Sequence, residues 1–149
     1  MKAFFLSIVI IFAILSRVTF TQNDIIKQNL SSENKTKSQS IVFNAIESGI
    51  LENCVKTISK YFAPQPYISL INGVNGYYSS NQAYYILEDF FNSYKVVSFK
   101  MNETKIDELV SFGKGDYYFE KKGRREVAHL YVTLNKSANK WYITQISIN

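Results

Sequence analysis

The chain has 149 residues, a formal net charge of +5 and 15% aromatic residues. This length suits one domain around one core. The mild positive charge does not by itself imply an acidic partner. The single cysteine, Cys54, excludes an internal disulfide and therefore a disulfide-stapled scaffold.

The N-terminus has the pattern of an export signal. Lys2 precedes an almost unbroken apolar run from Ala3 to Leu15, which is shorter than the ~20 residues that a membrane-spanning helix needs. We predict a signal peptide over residues 1–21 and a secreted or periplasmic protein with no stable membrane span after cleavage. An uncleaved N-terminal anchor is the alternative. Polar residues 22–37 are predicted to form a flexible linker, and residues 38–149 a single domain.

Helical patterns open the predicted domain. Apolar residues recur at helical spacing from Ser40 to Ser48, and Gly49 is a suitable C-cap. The pattern resumes from Ile50 to Phe62, and Pro64 is expected to end it. A short strand is predicted from Tyr67 to Ile71.

The stretch from Gly76 to Phe91 holds six aromatic residues among sixteen. Ser79 and Gln82 have the Ser-x-x-Gln spacing of a helix capping box. Behind this cap the apolar residues fall on one helical stripe: Ala83, Ile86, Leu87, Phe90, Phe91 and Tyr94. The stripe favours a buried helix face over a dedicated aromatic binding box.

After this helix the pattern changes to a period of two. Val97, Phe99 and Met101 alternate with polar residues, which is typical of a half-buried strand. The next strand candidate runs from Leu109 to Phe119, and Gly113-Lys114-Gly115 in its middle predicts a bulge or sharp bend.

The C-terminal third continues the same sheet. Lys121 to Arg125 is predicted to be a solvated hairpin turn rather than an anion site. The strand from Val127 to Leu134 bears His129 and Tyr131 on its polar face, and Trp141 to Ile148 is the last strand. Helices followed by an antiparallel meander indicate the α+β class, with N-terminal helices packed against a curved, mostly antiparallel sheet.

Four short motifs lie along the predicted domain: Phe62-Ala63-Pro64, Gly76-x-Tyr78-Ser79, Gln82-Ala83 and Phe90-Phe91. Together with the four antiparallel strands, these motifs resemble the nuclear transport factor 2-like, or cystatin-like cone, superfamily. More narrowly, residues 38–149 are similar to a family of short secreted bacterial proteins known only as a domain of unknown function. The last strand departs from that family, in which an Arg and an acidic residue are usual near the end: here the residues are Ile146, Ser147, Ile148 and Asn149.

The resemblance implies a curved sheet around a long helix, often with a pocket in the cone. Some members are isomerases or dehydratases and many only bind, so the fold does not decide the activity. Phe90, Phe99 and Trp141 are the candidate lining of a small apolar pocket. His129, the only histidine, and Tyr131 are the candidates for catalysis.

A non-catalytic module that binds a ligand or a protein is the predicted function, because a lone half-exposed histidine is more often structural. The alternative is a cone-fold enzyme of isomerase, dehydratase or hydrolase type with its site near His129. The expected partner is a small apolar ligand or a protein, which includes a second copy in a homodimer. No metal, cofactor or nucleic acid is expected, because the sequence has no zinc, calcium, phosphate-loop or base-stacking motif.

Overall fold

The structure, a computed structural model, describes residues 37–149. The predicted signal peptide and nearly all of the predicted linker lie outside the described residues. Ser38–Asn149 form one compact unit. Its helices are α1 through residues 37–51, α2 at Val55–Ser59 and α3 at Ser80–Ser93. Its strands are β1 Phe62–Leu70, β2 Asn75–Tyr77, β3 Lys95–Lys105, β4 Val110–Lys121, β5 Arg124–Ser137 and β6 Lys140–Ile148.

All six strands belong to one sheet, in the order β2-β1-β6-β5-β4-β3. Strands β3 to β6 form the predicted antiparallel meander. Strand β1 then pairs in parallel with β6, and the short β2 pairs antiparallel with β1. The predicted fold class is confirmed: helices pack against a mostly antiparallel sheet.

Helix α3 begins and packs as its sequence predicts. The Ser79 N–H donates to Gln82 Oε1 at 3.0 Å, and the Gln82 N–H donates to Ser79 Oγ at 3.3 Å, so both halves of the capping box are present. The predicted stripe is turned inwards, with Ala83, Leu87, Phe90 and Phe91 fully buried. Phe90 and Phe91 are therefore core residues, whereas Tyr77 and Tyr85 of the same aromatic stretch are exposed.

An aromatic cluster around Tyr117 of β4 fills the space between α3 and the sheet. The Tyr117 ring centroid lies 6.1 Å from that of Phe90 and 6.5 Å from that of Phe99. Phe90 also stacks on Tyr94, with centroids 4.6 Å apart. The Tyr117 hydroxyl donates to the Tyr94 carbonyl oxygen, and burial raises the pKa of Tyr117 well above its usual range. The cluster closes the interior between helix and sheet.

The predicted ends of the first helices are wrong. Gly49 lies inside α1, where it is not a C-cap, and it lets α2 approach closely: a Cβ there would lie 2.5 Å from Ile58 Cγ1. The chain then leaves the helix at residues 52–54. Phe62 opens strand β1, and β1 continues through Pro64 and Pro66. A register shift between Phe62 and Tyr67 interrupts the pairing of β1 with β6 there, so the missing proline N–H groups break no regular ladder.

Two predictions about the strands also change. Val97 was expected to face the core, but a register shift between Val96 and Ser98 turns it to solvent. Strand β4 runs unbroken through Gly113 and Gly115, and the irregularity lies opposite, on β3. These glycines leave room for rings: a Cβ on Gly113 would lie 2.7 Å from Phe43 Cε1, and one on Gly115 would lie 2.7 Å from Phe99 Cε2.

Candidate functional site

The sheet has an inner face, which packs against the helices, and an outer face. On β4 and β5 the two faces alternate, so that Tyr117 and Leu130 are buried whereas Asp116 and His129, which lie opposite each other, point outwards. Directly paired residues share a face, and the register therefore assigns outer-face residues on every strand. The outer face has a charged half and an uncharged half.

The charged half, on β3, β4 and β5, contains the predicted catalytic candidate His129. His129 Nδ1 lies 2.9 Å from Asp116 Oδ1, and the Asn102 side-chain amide donates to Asp116 Oδ2 at 2.6 Å. Hydrogen bonds from His129 and then Asn102 lower the pKa of Asp116 below its ordinary value. The His129 side chain is 55% exposed. The dyad is thus a solvated surface pair.

Tyr131, the second catalytic candidate, has different neighbours. It lies opposite Lys114 in the ladder, and Lys114 Nζ is 5.7 Å from the centroid of its ring. It also lines a hollow of about 240 Å³ with Glu103, Lys105 and Phe112. The structure therefore pairs His129 with Asp116, and it places Tyr131 against a lysine rather than within a histidine–tyrosine pair.

The other half of the outer face contains a group of uncharged residues, which we call the uncharged band; Lys140, opposite Ser137, lies beyond this group at the start of β6. Its members are paired with one another across four strands, from β2 through β1 and β6 to β5. The rings of Tyr67 and Tyr77 meet edge to face at 5.1 Å. Tyr77 is 74% exposed and Tyr131 is 44% exposed. The band comprises Asn75, Tyr77, Tyr67, Ser69, Gln145, Ser147, Thr133 and Tyr131.

A hollow of about 290 Å³ continues the uncharged band along the same face. The Thr144 hydroxyl connects the two, since it donates to the Thr133 carbonyl at 3.3 Å. None of the described residues that line this hollow is charged: Ala63, Pro64, Asn135, Ser137, Tyr142 and Thr144. The band and the hollow together form an uncharged surface with polar edges and aromatic rings.

The predicted pocket residues are all buried. Phe90 and Phe99 meet at Tyr117 inside the packed core. Trp141 is 4% exposed and is the second residue of β6, where it lines a hollow of about 280 Å³ beside the β5–β6 turn. Of the three predicted lining residues, Trp141 is thus the one that borders this open space.

The hollow beside Trp141 combines aromatic walls with positive charge. Val42, Tyr61 and Tyr142 lie beside the indole, and Lys60 and Lys140 are exposed at its edge. The Trp141 Nε1 atom is buried without a hydrogen-bond partner. A buried donor in that state costs about 1–3 kcal/mol.

Among residues 37–149, no three side chains of His, Cys, Asp or Glu gather as metal ligands would. Within the same range, none of the helices has the length and apolar character needed to cross a bilayer.

Helices over the inner face of a curved, open sheet give this domain the nuclear transport factor 2-like fold, which solved structures share. The chain belongs to the family described as Domain of unknown function (DUF4783), whose model matches residues 43–149. A search of the curated proteins finds no match to the chain.

The solved structures share the fold at low sequence identity. A DUF4783 family protein from Bacteroides uniformis is 20% identical, with a TM-score of 0.65 over 71% of this chain and 94% of its own. A nuclear transport factor 2-like protein of unknown function from Shewanella oneidensis is 13% identical, with a TM-score of 0.55 over 76% of this chain and 97% of its own.

A third similar structure, from Xanthomonas campestris, is provisionally described as a calcium/calmodulin-dependent protein kinase II association domain. It is 16% identical to this chain, with a TM-score of 0.55 over 73% of this chain and 82% of its own. At these identities, the three likenesses establish the fold and leave the function open.

The uncharged band was not among the sequence predictions, although the sequence contains a signal for it. Residues 61–87 contain no Asp, Glu, Lys or Arg, and neither do residues 141–149. These two segments supply β1, β2 and β6. In the sequence the two segments are far apart. They form one uncharged surface because β1 pairs in parallel with β6 and so places them side by side.

Proposed function

We propose that this protein is an exported, non-catalytic binding module that associates through the outer face of its sheet, and that a second copy of the chain occupies the uncharged band. Export rests on the leader pattern of Lys2 and the apolar run Ala3 to Leu15. The observation that carries the association is the uncharged, tyrosine-bearing band itself.

The composition of the band supports protein binding. The centres of protein interfaces are depleted of charged residues and enriched in tyrosine. Tyr77, Tyr67 and Tyr131 provide rings at the surface. Serine, threonine, asparagine and glutamine around them provide hydrogen-bonding groups without the desolvation cost of a charge.

A second copy is the partner that suits this surface best. In a two-fold dimer the same patch meets itself, so charges of one sign near its centre would repel each other. The uncharged band avoids that repulsion, and the adjoining uncharged hollow gives an exposed ring such as Tyr77 a place to dock. The association domain from Xanthomonas campestris has a similar fold.

Catalysis by His129 is a second candidate function of the same face, and it has less support. The contact between His129 and Asp116 is the observation that favours it. However, general acid–base chemistry benefits from a site that excludes water, and this histidine is more than half exposed. Between α3 and the sheet, the rings of Phe90, Phe99 and Tyr117 occupy the space that an enclosed site would need.

Sedimentation velocity of the mature chain tests the proposal. We expect a dimer at micromolar concentration and a monomer after Tyr77→Asp, because that change buries a carboxylate in the interface. Tyr85→Asp is the matched control, since Tyr85 is also exposed but lies on α3; it should leave the dimer intact.

Two results would contradict the proposal. One is a wild-type chain that stays monomeric up to about 100 μM, a range in which a functional dimer should assemble. The other is equal disruption by Tyr77→Asp and Tyr85→Asp. Thermal melting of both variants by circular dichroism establishes that they remain folded.

A further inference from the structure

We propose that the hollow beside Trp141 binds a small amphiphilic carboxylate, which has an acidic head and an apolar body. The hollow shares Tyr142 with the uncharged hollow but no residue with the uncharged band, and ligand binding there does not depend on dimer formation. It lies where the start of α1, the chain before β1 and the β5–β6 turn meet.

The walls of the hollow suit an apolar body. Val42 on α1 and Trp141 on β6 are buried, while Tyr61 and Tyr142 are half-buried. The volume of about 280 Å³ is close to the lower end of the range for small-molecule sites. It therefore favours a short chain or a single ring over a large ligand.

The charge of the hollow suits an acidic head. Lys60 and Lys140 both lie at its edge, and none of its described lining residues is acidic. Both lysines are exposed, and neither forms an ion pair among the salt bridges of the described residues. A carboxylate between the two ammonium groups would accept charge-assisted hydrogen bonds from both.

The indole N–H of Trp141 is a third feature of the hollow that suits a ligand with an acidic head. It can only donate a hydrogen bond, and within the described structure it has no acceptor although it is buried. The Nε1 atom is closed to solvent in the observed conformation, so a small shift of the indole or of a neighbouring side chain would have to admit a ligand oxygen as its acceptor. The oxygen atoms of a carboxylate can accept hydrogen bonds from the indole and from the lysines. A purely apolar ligand has no such acceptor.

Octanoate is the probe for the test, and Trp141 is the reporter because it is the only tryptophan of the chain. We expect octanoate to change the tryptophan fluorescence saturably and to shift the single indole N–H resonance in ¹H–¹⁵N spectra. Octanol has the apolar chain of octanoate but no charge, and acetate has the carboxylate but no apolar chain. Both should bind at least about tenfold more weakly, since each lacks one set of contacts.

Matched charge variants locate the acidic head. Lys60→Gln with Lys140→Gln should weaken octanoate binding about tenfold or more. Lys121→Gln with Lys122→Gln removes the same charge at the β4–β5 hairpin tip and should leave binding unchanged.

The proposal is overturned by any of four results: no saturable change with octanoate, an indole N–H resonance that does not move, equal binding of octanol, or equal weakening by the two double variants. All of these can be measured on a monomer. A failed dimer and an empty hollow are therefore distinguishable outcomes.

Discussion

The two faces of the sheet use aromatic residues in opposite ways. On the inner face, Phe99 and Tyr117 pack ring against ring with Phe90 of helix α3, and all three are almost inaccessible to solvent. On the outer face, Tyr77 and Tyr131 present much of their rings to solvent. The same residue class therefore holds the domain together on one side and is available for association on the other.

The difference teaches that aromatic density in a sequence does not by itself indicate a binding site. The densest stretch, Gly76 to Phe91, contributes to both sides of this division: Tyr77 is exposed on β2, while Phe90 and Phe91 are buried on α3. Burial determines which rings contribute to stability, because the free energy of transfer scales with the apolar area removed from water.

The largest expected effect tests the inner face directly. Phe90→Ala should lower the free energy of unfolding by ~3–5 kcal/mol, because it leaves a cavity in a close-packed aromatic cluster. Tyr77→Ala on the outer face should cost less than ~1 kcal/mol in the monomer, since most of that ring is already hydrated. Urea unfolding below the dimer's dissociation constant measures both. A small loss for Phe90→Ala would remove that ring from the core and undo the comparison.

An intermediate effect is expected where the inner face is tightest. Gly115→Ala should destabilise the domain by ~1–3 kcal/mol through overpacking, because the new Cβ would lie 2.5 Å from the Lys100 carbonyl oxygen and 2.7 Å from Phe99 Cε2. Lys114→Ala, one residue away on the outer face, should change stability by less than ~0.5 kcal/mol. Thermal melting compares the stabilities of the two variants. Equal stabilities would show that the inner face can accommodate an added methyl group at residue 115.

The smallest effect concerns the charged half of the outer face. The pKa of Asp116 is held below its ordinary value of 3.8, first by the hydrogen bond with His129 and then by that with Asn102. His129→Ala should therefore raise the pKa of Asp116 towards 3.8, as followed by carboxyl ¹³C shifts in an NMR titration.

The sign of the accompanying stability change follows from linkage. Because the folded state lowers this pKa, Asp116 stabilises the fold above the pKa of its unfolded state, and the contribution is lost as the pH falls through the folded-state pKa. Wild type and His129→Ala should thus differ in stability at neutral pH and converge at strongly acidic pH. An unchanged Asp116 titration in His129→Ala would show that the dyad is not formed in solution.

Local periodicity determined much of this fold from the sequence alone. The stripe behind Ser79 and Gln82 predicted α3 and its buried face, since side chains at i, i+3 and i+4 share one side of a helix. The alternation from Val127 to Leu134 likewise predicted which face of β5 is buried. In both segments the buried side chains follow the regular period of the helix or strand. A short stretch of sequence is therefore enough to predict the element and its buried face.

Tertiary structure decided the features that depend on distant partners. Strand β1 runs through two prolines because its ladder with β6 is interrupted there, and Val97 is exposed because a bulge forms against β4. The uncharged band exists only because β1 pairs in parallel with β6, which joins two charge-free segments more than fifty residues apart. The hollow beside Trp141 likewise needs α1, the chain before β1 and the β5–β6 turn to meet. Local patterns report which way a side chain points relative to its own backbone, whereas long-range pairing decides which side chains become neighbours.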